Sequence, residues 1–147
     1  MKFKLFFIAV FIFYFFPFSF SLSLTMKKTT VTLPDGEKIN VRVADTSMTR
    51  STGLIGRSHL DSNEGMLFLF ETTEPHLMWM KNMLIPIDIV WLNESKEIVE
   101  MVQSISPCSI DPCAIYGPSF PSRYVLELKE GSANRFHLKK GMVLKFP

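Results

Sequence analysis

Residues Trp79 to Asp88 read WMKNMLIPID, which sets Lys81, Asn82 and Asp88 into an otherwise apolar run. Lys and Asp are rarely buried without a partner, and an unpartnered buried polar group costs on the order of 2 kcal/mol or more. An ammonium, an amide and a carboxylate at this spacing allow more than one chemistry. Converging beside the indole of Trp79, they would form a small polar or anionic ligand site, with Arg50 and Arg57 as anion contacts, because such sites combine aromatic walls with a few convergent polar groups. Closed on one another, or on Glu64 or Glu127, they would be a network that fixes strand register. Lys81 and Asp88 would become an acid–base pair if burial shifted their pKa values.

A second set of ligand-bearing residues overlaps the first. If the run is a strand, alternate residues share a face, so His76, Met78 and Met80 align, with Met83 nearby. Imidazole and thioether together suit Cu(I). Methionine is also ordinary core filler, which explains the same pattern without a metal. The three histidines, His59, His76 and His137, have no zinc-like spacing. No G-x-S-x-G turn or comparable nucleophile motif is present, and no cofactor motif is found.

The elements that must position these groups follow from apolar period and turn residues. VTLPDGEKINVRVA reads as two strands around a Pro-Asp-Gly turn. Asp45 or Thr46 caps a short helix through about Leu54, ended by Gly53 and Gly56. GMLFLF, HLMWMKN, IDIVWLN, KEIVEMVQSI, YVLELKEG and MVLKF read as strands, with Pro86 separating the second from the third. Ser132 caps a second short helix over Ala133 to His137. The predicted class is α+β: a β-rich barrel or half-barrel of about seven or eight short strands with two short helices, since closure removes exposed edges.

The N-terminus is different material. Lys2 and Lys4 precede an uncharged, Phe-rich stretch to Leu24, with Ser19, Ser21 and Ser23 at alternate positions. This is the pattern of a secretory signal peptide over residues 1–23, cleaved after Ser21 or Ser23; an uncleaved N-terminal anchor is the alternative, since about 20 apolar residues span a bilayer. Residues 24–147 then form a single exported domain, periplasmic or secreted. Contact with the membrane would come only through an uncleaved leader. Lys2 and Lys4 account for the whole formal charge of +2, which leaves 14 basic and 14 acidic residues. A neutral domain lacks the electrostatic footprint of a nucleic-acid binder. The partner expected is a small molecule or an envelope component. Cys108 and Cys113, in PCSIDPC, are the only cysteines, and in an oxidising compartment such a pair most often forms a structural disulfide.

Arg50, Gly53-Leu54, Arg57, Gly65-Met66-Leu67-Phe68, Trp79-Met80-Lys81-Asn82, Ile85-Pro86, Asp88, Tyr124-Val125-Leu126-Glu127 and Gly131 recur in that order. This arrangement resembles the bacterial and archaeal family known as domain of unknown function 192, over about Val41 to Val143. The resemblance implies a compact barrel-like β fold with helices against it, often exported, and no established activity. Met78 and Met83 depart from the family pattern, so a copper site there would be particular to this chain. The reading reached is an exported, non-enzymatic ligand-binding domain. Its alternatives are a Lys/Asp enzyme, a Cu(I)-binding protein and a structural or interaction module.

Overall fold

The computed structural model describes residues 26–147, so the leader predicted over 1–23 lies outside the described residues. Eight strands and two short helices follow in the order β1 (Lys28–Thr32), β2 (Lys38–Ala44), α1 (Ser47–Thr52), β3 (Glu64–Glu74), β4 (Met78–Trp79), β5 (Ile87–Leu92), β6 (Ile98–Ile105), β7 (Ile115–Tyr116), β8 (Ser122–Lys129) and α2 (Ser132–Arg135). Six strands form one sheet in the order β1-β2-β3-β8-β5-β6, and β4 with β7 forms a separate two-stranded ribbon. Neighbours in the large sheet are antiparallel except β2 and β3, which run parallel with Val41 opposite Gly65 and Val43 opposite Leu67.

The β-rich α+β expectation is met, and the sheet stops short of a closed barrel. It curls instead. The chain after α2 sets Val143 against Glu97 at the start of β6 and Lys145 against Thr32 at the end of β1. Both edge strands are therefore covered at one end, which blunts their exposed hydrogen-bonding groups. MVLKF was expected as a strand; these isolated bridges replace it, because its pairing alternates between two different edges.

Two apolar clusters occupy the two faces. Leu67, Val90, Leu126 and Leu128 join Phe136, Leu144 and Phe146 in one. Met66, Phe68, Ile89, Trp91 and Val125 join Leu54, Met80 and Met83 in the other. Strand β5 contributes to both and is buried at all six positions, as a central strand covered on both sides must be.

Local chemistry fixes the ends of the elements. Thr46 caps α1 through a reciprocal box in which its hydroxyl accepts from the Thr49 amide at 3.1 Å, and the Thr49 hydroxyl accepts from the Thr46 amide at 2.9 Å. Gly53, at φ 48°, ends that helix. The strand expected over HLMWMKN is reduced to Met78–Trp79. Beyond it the chain turns: the Met83 amide donates to the Met80 carbonyl, and Asn82 takes the left-handed φ of 61° that asparagine tolerates. The cap expected from Ser132 is likewise displaced. Gly131 holds the N-cap position of α2 and no local side chain caps it.

Candidate ligand site

Asp88 is fully buried, but its carboxylate serves the fold. Its Oδ1 accepts from the Ser104 amide at 2.9 Å and its Oδ2 accepts from the Ala133 amide at 2.8 Å. Asp88 faces Leu128 across the ladder, on the side of the sheet that packs α2. Ser104 carries a φ of 55° where the β5–β6 pairing shifts register, so Asp88 ties down an irregular strand end and a helix start together.

Lys81 and Asn82 lie elsewhere. Lys81 pairs with Asp111 at 2.6 Å, its Nζ is 5.9 Å from the centre of the Trp79 ring, and its side chain is 37% exposed. Asn82 is exposed and uses its backbone amide to reach the Cys108 carbonyl at 3.2 Å. The three polar groups of WMKNMLIPID are therefore not gathered at one spot. Lys81 and Asn82 stand on the outer turn after β4 while Asp88 is sealed beneath α2.

Cys108 and Cys113 are joined in a disulfide with their Cα atoms 5.8 Å apart. The loop they close is secured to the end of β4, because the Cys108 amide donates to the Met80 carbonyl at 3.0 Å. On the core side, the Trp91 indole donates to the His76 carbonyl at 2.7 Å. His76 also stacks on Phe70, with ring centres 3.6 Å apart, and its Nε2 engages the Thr72 carbonyl at 3.0 Å. Among the candidate copper ligands, Met80 and Met83 are core residues, Met78 is half-buried at the core margin, and His76 has this ring nitrogen already engaged.

These anchors hold β4 over α1, and between them is a partly open cavity of about 180 Å³. Leu54, Phe68, Phe70, Met78 and Met83 form its apolar wall. Leu77 and Trp79, 65% and 57% exposed, stand at its mouth. Arg50 and Glu127 are its two ionisable lining residues. Arg50 projects from the last turn of α1, donates Nη1 to the Leu69 carbonyl at 2.8 Å and lies 5.4 Å from the Phe70 ring centre. Arg57 lines a different cavity, beside Arg42 and Glu64.

Glu127 was visible in the sequence as a charge embedded in YVLEL, where it stood as a possible partner for Lys81. It belongs to this cavity instead. Its cross-strand neighbours are Met66 on β3 and Ile89 on β5, so it shares the face of the second apolar cluster with Val125 two residues earlier. The residue is 5% exposed, and its Oε2 is buried with no hydrogen-bond partner. Burial away from water pushes its pKa up to about 8. At neutral pH the cavity floor is thus an uncharged carboxylic acid, able to donate one hydrogen bond and accept others.

The sequence pattern of the family described as "Uncharacterized ACR", domain of unknown function 192, matches residues 23–146. The chain belongs to this family. Among solved structures, a protein from Sinorhizobium meliloti 1021 described as a candidate transcription regulator is 30% identical, with a TM-score of 0.77 over 84% of this chain and 96% of the other. A protein of unknown function from Novosphingobium aromaticivorans is 27% identical, with a TM-score of 0.73 over 82% of this chain and 84% of the other. No curated protein matches the chain. The fold is shared with these two proteins, and the family carries no established activity with it.

Proposed function

We propose that this chain is an exported envelope or periplasmic domain that binds a small molecule, without catalysis, in the cavity between α1 and β4. The observation that carries the reading is the Glu127 Oε2, a buried polar atom left without a partner in the lining of a largely apolar cavity. Nearly all buried polar atoms in native proteins are hydrogen-bonded, so an exception calls for a partner. A ligand that hydrogen-bonds Glu127 would satisfy it.

The make-up of the cavity supports binding, because apolar walls with a few polar groups are the usual form of a small-molecule site. Its two ionisable residues are one carboxylic acid and one arginine. Lys81 and Asp88, the acid–base pair that the sequence suggested, stand outside this cavity. Export is supported by the leader pattern of the first two dozen residues and by the disulfide, which suits an oxidising compartment. The 14 basic and 14 acidic residues outside the leader leave no positive surplus to hold nucleic acid.

The test is a thermal-shift screen of small organic compounds against wild type and Glu127→Leu. A ligand present at a hundredfold excess over its Kd stabilises the folded state by about 2.7 kcal/mol. Compounds that stabilise wild type and not Glu127→Leu support the reading. A screen in which no compound separates the two proteins overturns it.

A further inference from the structure

Resting on that reading of the cavity, we infer that its ligand is a small monocarboxylate, an organic acid with an apolar body of about one ring and a single carboxylate head. The size follows from the cavity. An apolar space of ~150 Å³ takes a benzene ring, and this one is about 180 Å³. Phe68, Leu54 and Met83 offer such a body only carbon and sulfur.

The head group follows from charge and donors. Arg50 uses Nη1 on the Leu69 carbonyl, and a guanidinium has five N–H donors in a planar fork suited to carboxylate oxygens. It forms no salt bridge among the described residues. Glu127 is flanked by Met66 and Ile89 across the sheet, and burial raises its pKa. The cavity therefore carries one fixed positive charge, and burial favours the neutral form of its carboxyl. An ammonium ligand would meet that positive charge and would have to ionise Glu127 in a desolvated place. A carboxylate would offset the arginine, and as an acceptor it suits the Glu127 O–H. A neutral amide would satisfy Glu127 but leave the arginine unpaired.

The experiment titrates the full-length chain by calorimetry with benzoate, benzamide and benzylammonium, three probes of nearly one shape. The expected result is that benzoate binds at least tenfold more tightly than either analogue. Its affinity should weaken about tenfold per pH unit above pH 8, where ionised Glu127 repels it. Glu127→Gln, whose amide still donates, should keep the affinity and lose the pH dependence. Arg50→Met should weaken benzoate at least tenfold while leaving benzamide nearly unchanged, a split that mere loss of folding would not produce. Preference for benzylammonium, or equal binding of benzoate and benzamide, overturns the acid assignment and leaves the cavity reading standing. Binding by none of the three overturns the acid assignment, and the thermal-shift screen then decides whether the cavity binds anything.

Discussion

The Asp88 Oδ2 accepts a 2.8 Å hydrogen bond from the Ala133 amide, 45 residues further along the chain. Through this contact a carboxylate on a central strand supplies the cap that the first turn of α2 does not find locally. Asp88→Ala strands the buried amide of Ala133 and frees that of Ser104, an exposed residue, and an unsatisfied buried donor costs about 1–3 kcal/mol. Asp88→Ala is expected to lose about 1–3 kcal/mol in urea unfolding, with Asp88→Asn intermediate because it keeps one acceptor. An alanine variant as stable as wild type would contradict this role.

Lys81 gives the contrasting result. Its pair with Asp111 is largely solvent-exposed, and such pairs contribute about 0–1 kcal/mol. Lys81→Met should therefore shift the unfolding free energy by less than about 1 kcal/mol. A loss as large as that of Asp88→Ala would show that Lys81 is structural.

Glu127 sets a pH dependence of stability. Its carboxyl ionises near 4.5 when exposed and near 8 when folded. Between those values only the unfolded chain releases the proton, so this contribution is complete below pH 4.5, declines as pH rises, and is gone above pH 8. The slope is at most about 1.4 kcal/mol per pH unit for one group. Urea midpoints across pH 5–9 should fall with pH more steeply for wild type than for Glu127→Gln. Parallel curves would remove the raised pKa from consideration.

Gly65 bears on the same site from β3. A Cβ added there would stand 2.6 Å from the Glu127 carbonyl oxygen, a backbone atom that cannot swing aside. Gly65→Ala should force β3 and β8 apart and cost about 2–3 kcal/mol, and a near-neutral effect by chemical denaturation would show the strands able to yield.

The disulfide closes a short loop with a sequence separation of 5. Loop-closure entropy gives it about 2 kcal/mol. Unfolding with and without a reductant, set against a Cys108→Ser/Cys113→Ser double variant, should show that loss in both cases.

Much of the fold was legible because local rules govern it. The Pro-Asp-Gly turn separates β1 from β2, Thr46 caps α1, and the apolar run at Ile87 is a central strand. What escaped were properties set by strand partners. Nothing in VRVA or GMLF states that β2 and β3 pair in parallel. The alternation in HLMWMKN fits a strand, yet only two residues found a partner in β7. Asp88 and Glu127 both read as charges inside apolar strands, and only the order of the sheet sends one to α2 and the other to the cavity. Trp79 and Arg50 were placed in the candidate site from sequence and line the cavity; Arg57, Lys81, Asn82 and Asp88 do not.

The chain contains two tryptophans, and the fold gives them opposite surroundings. Trp91 is sealed from solvent with its indole nitrogen engaged, while Trp79 is open to water beside the cavity. Their fluorescence therefore divides the molecule into two optical channels: a collisional quencher such as acrylamide would silence Trp79 and leave Trp91 to report whether the protein is folded.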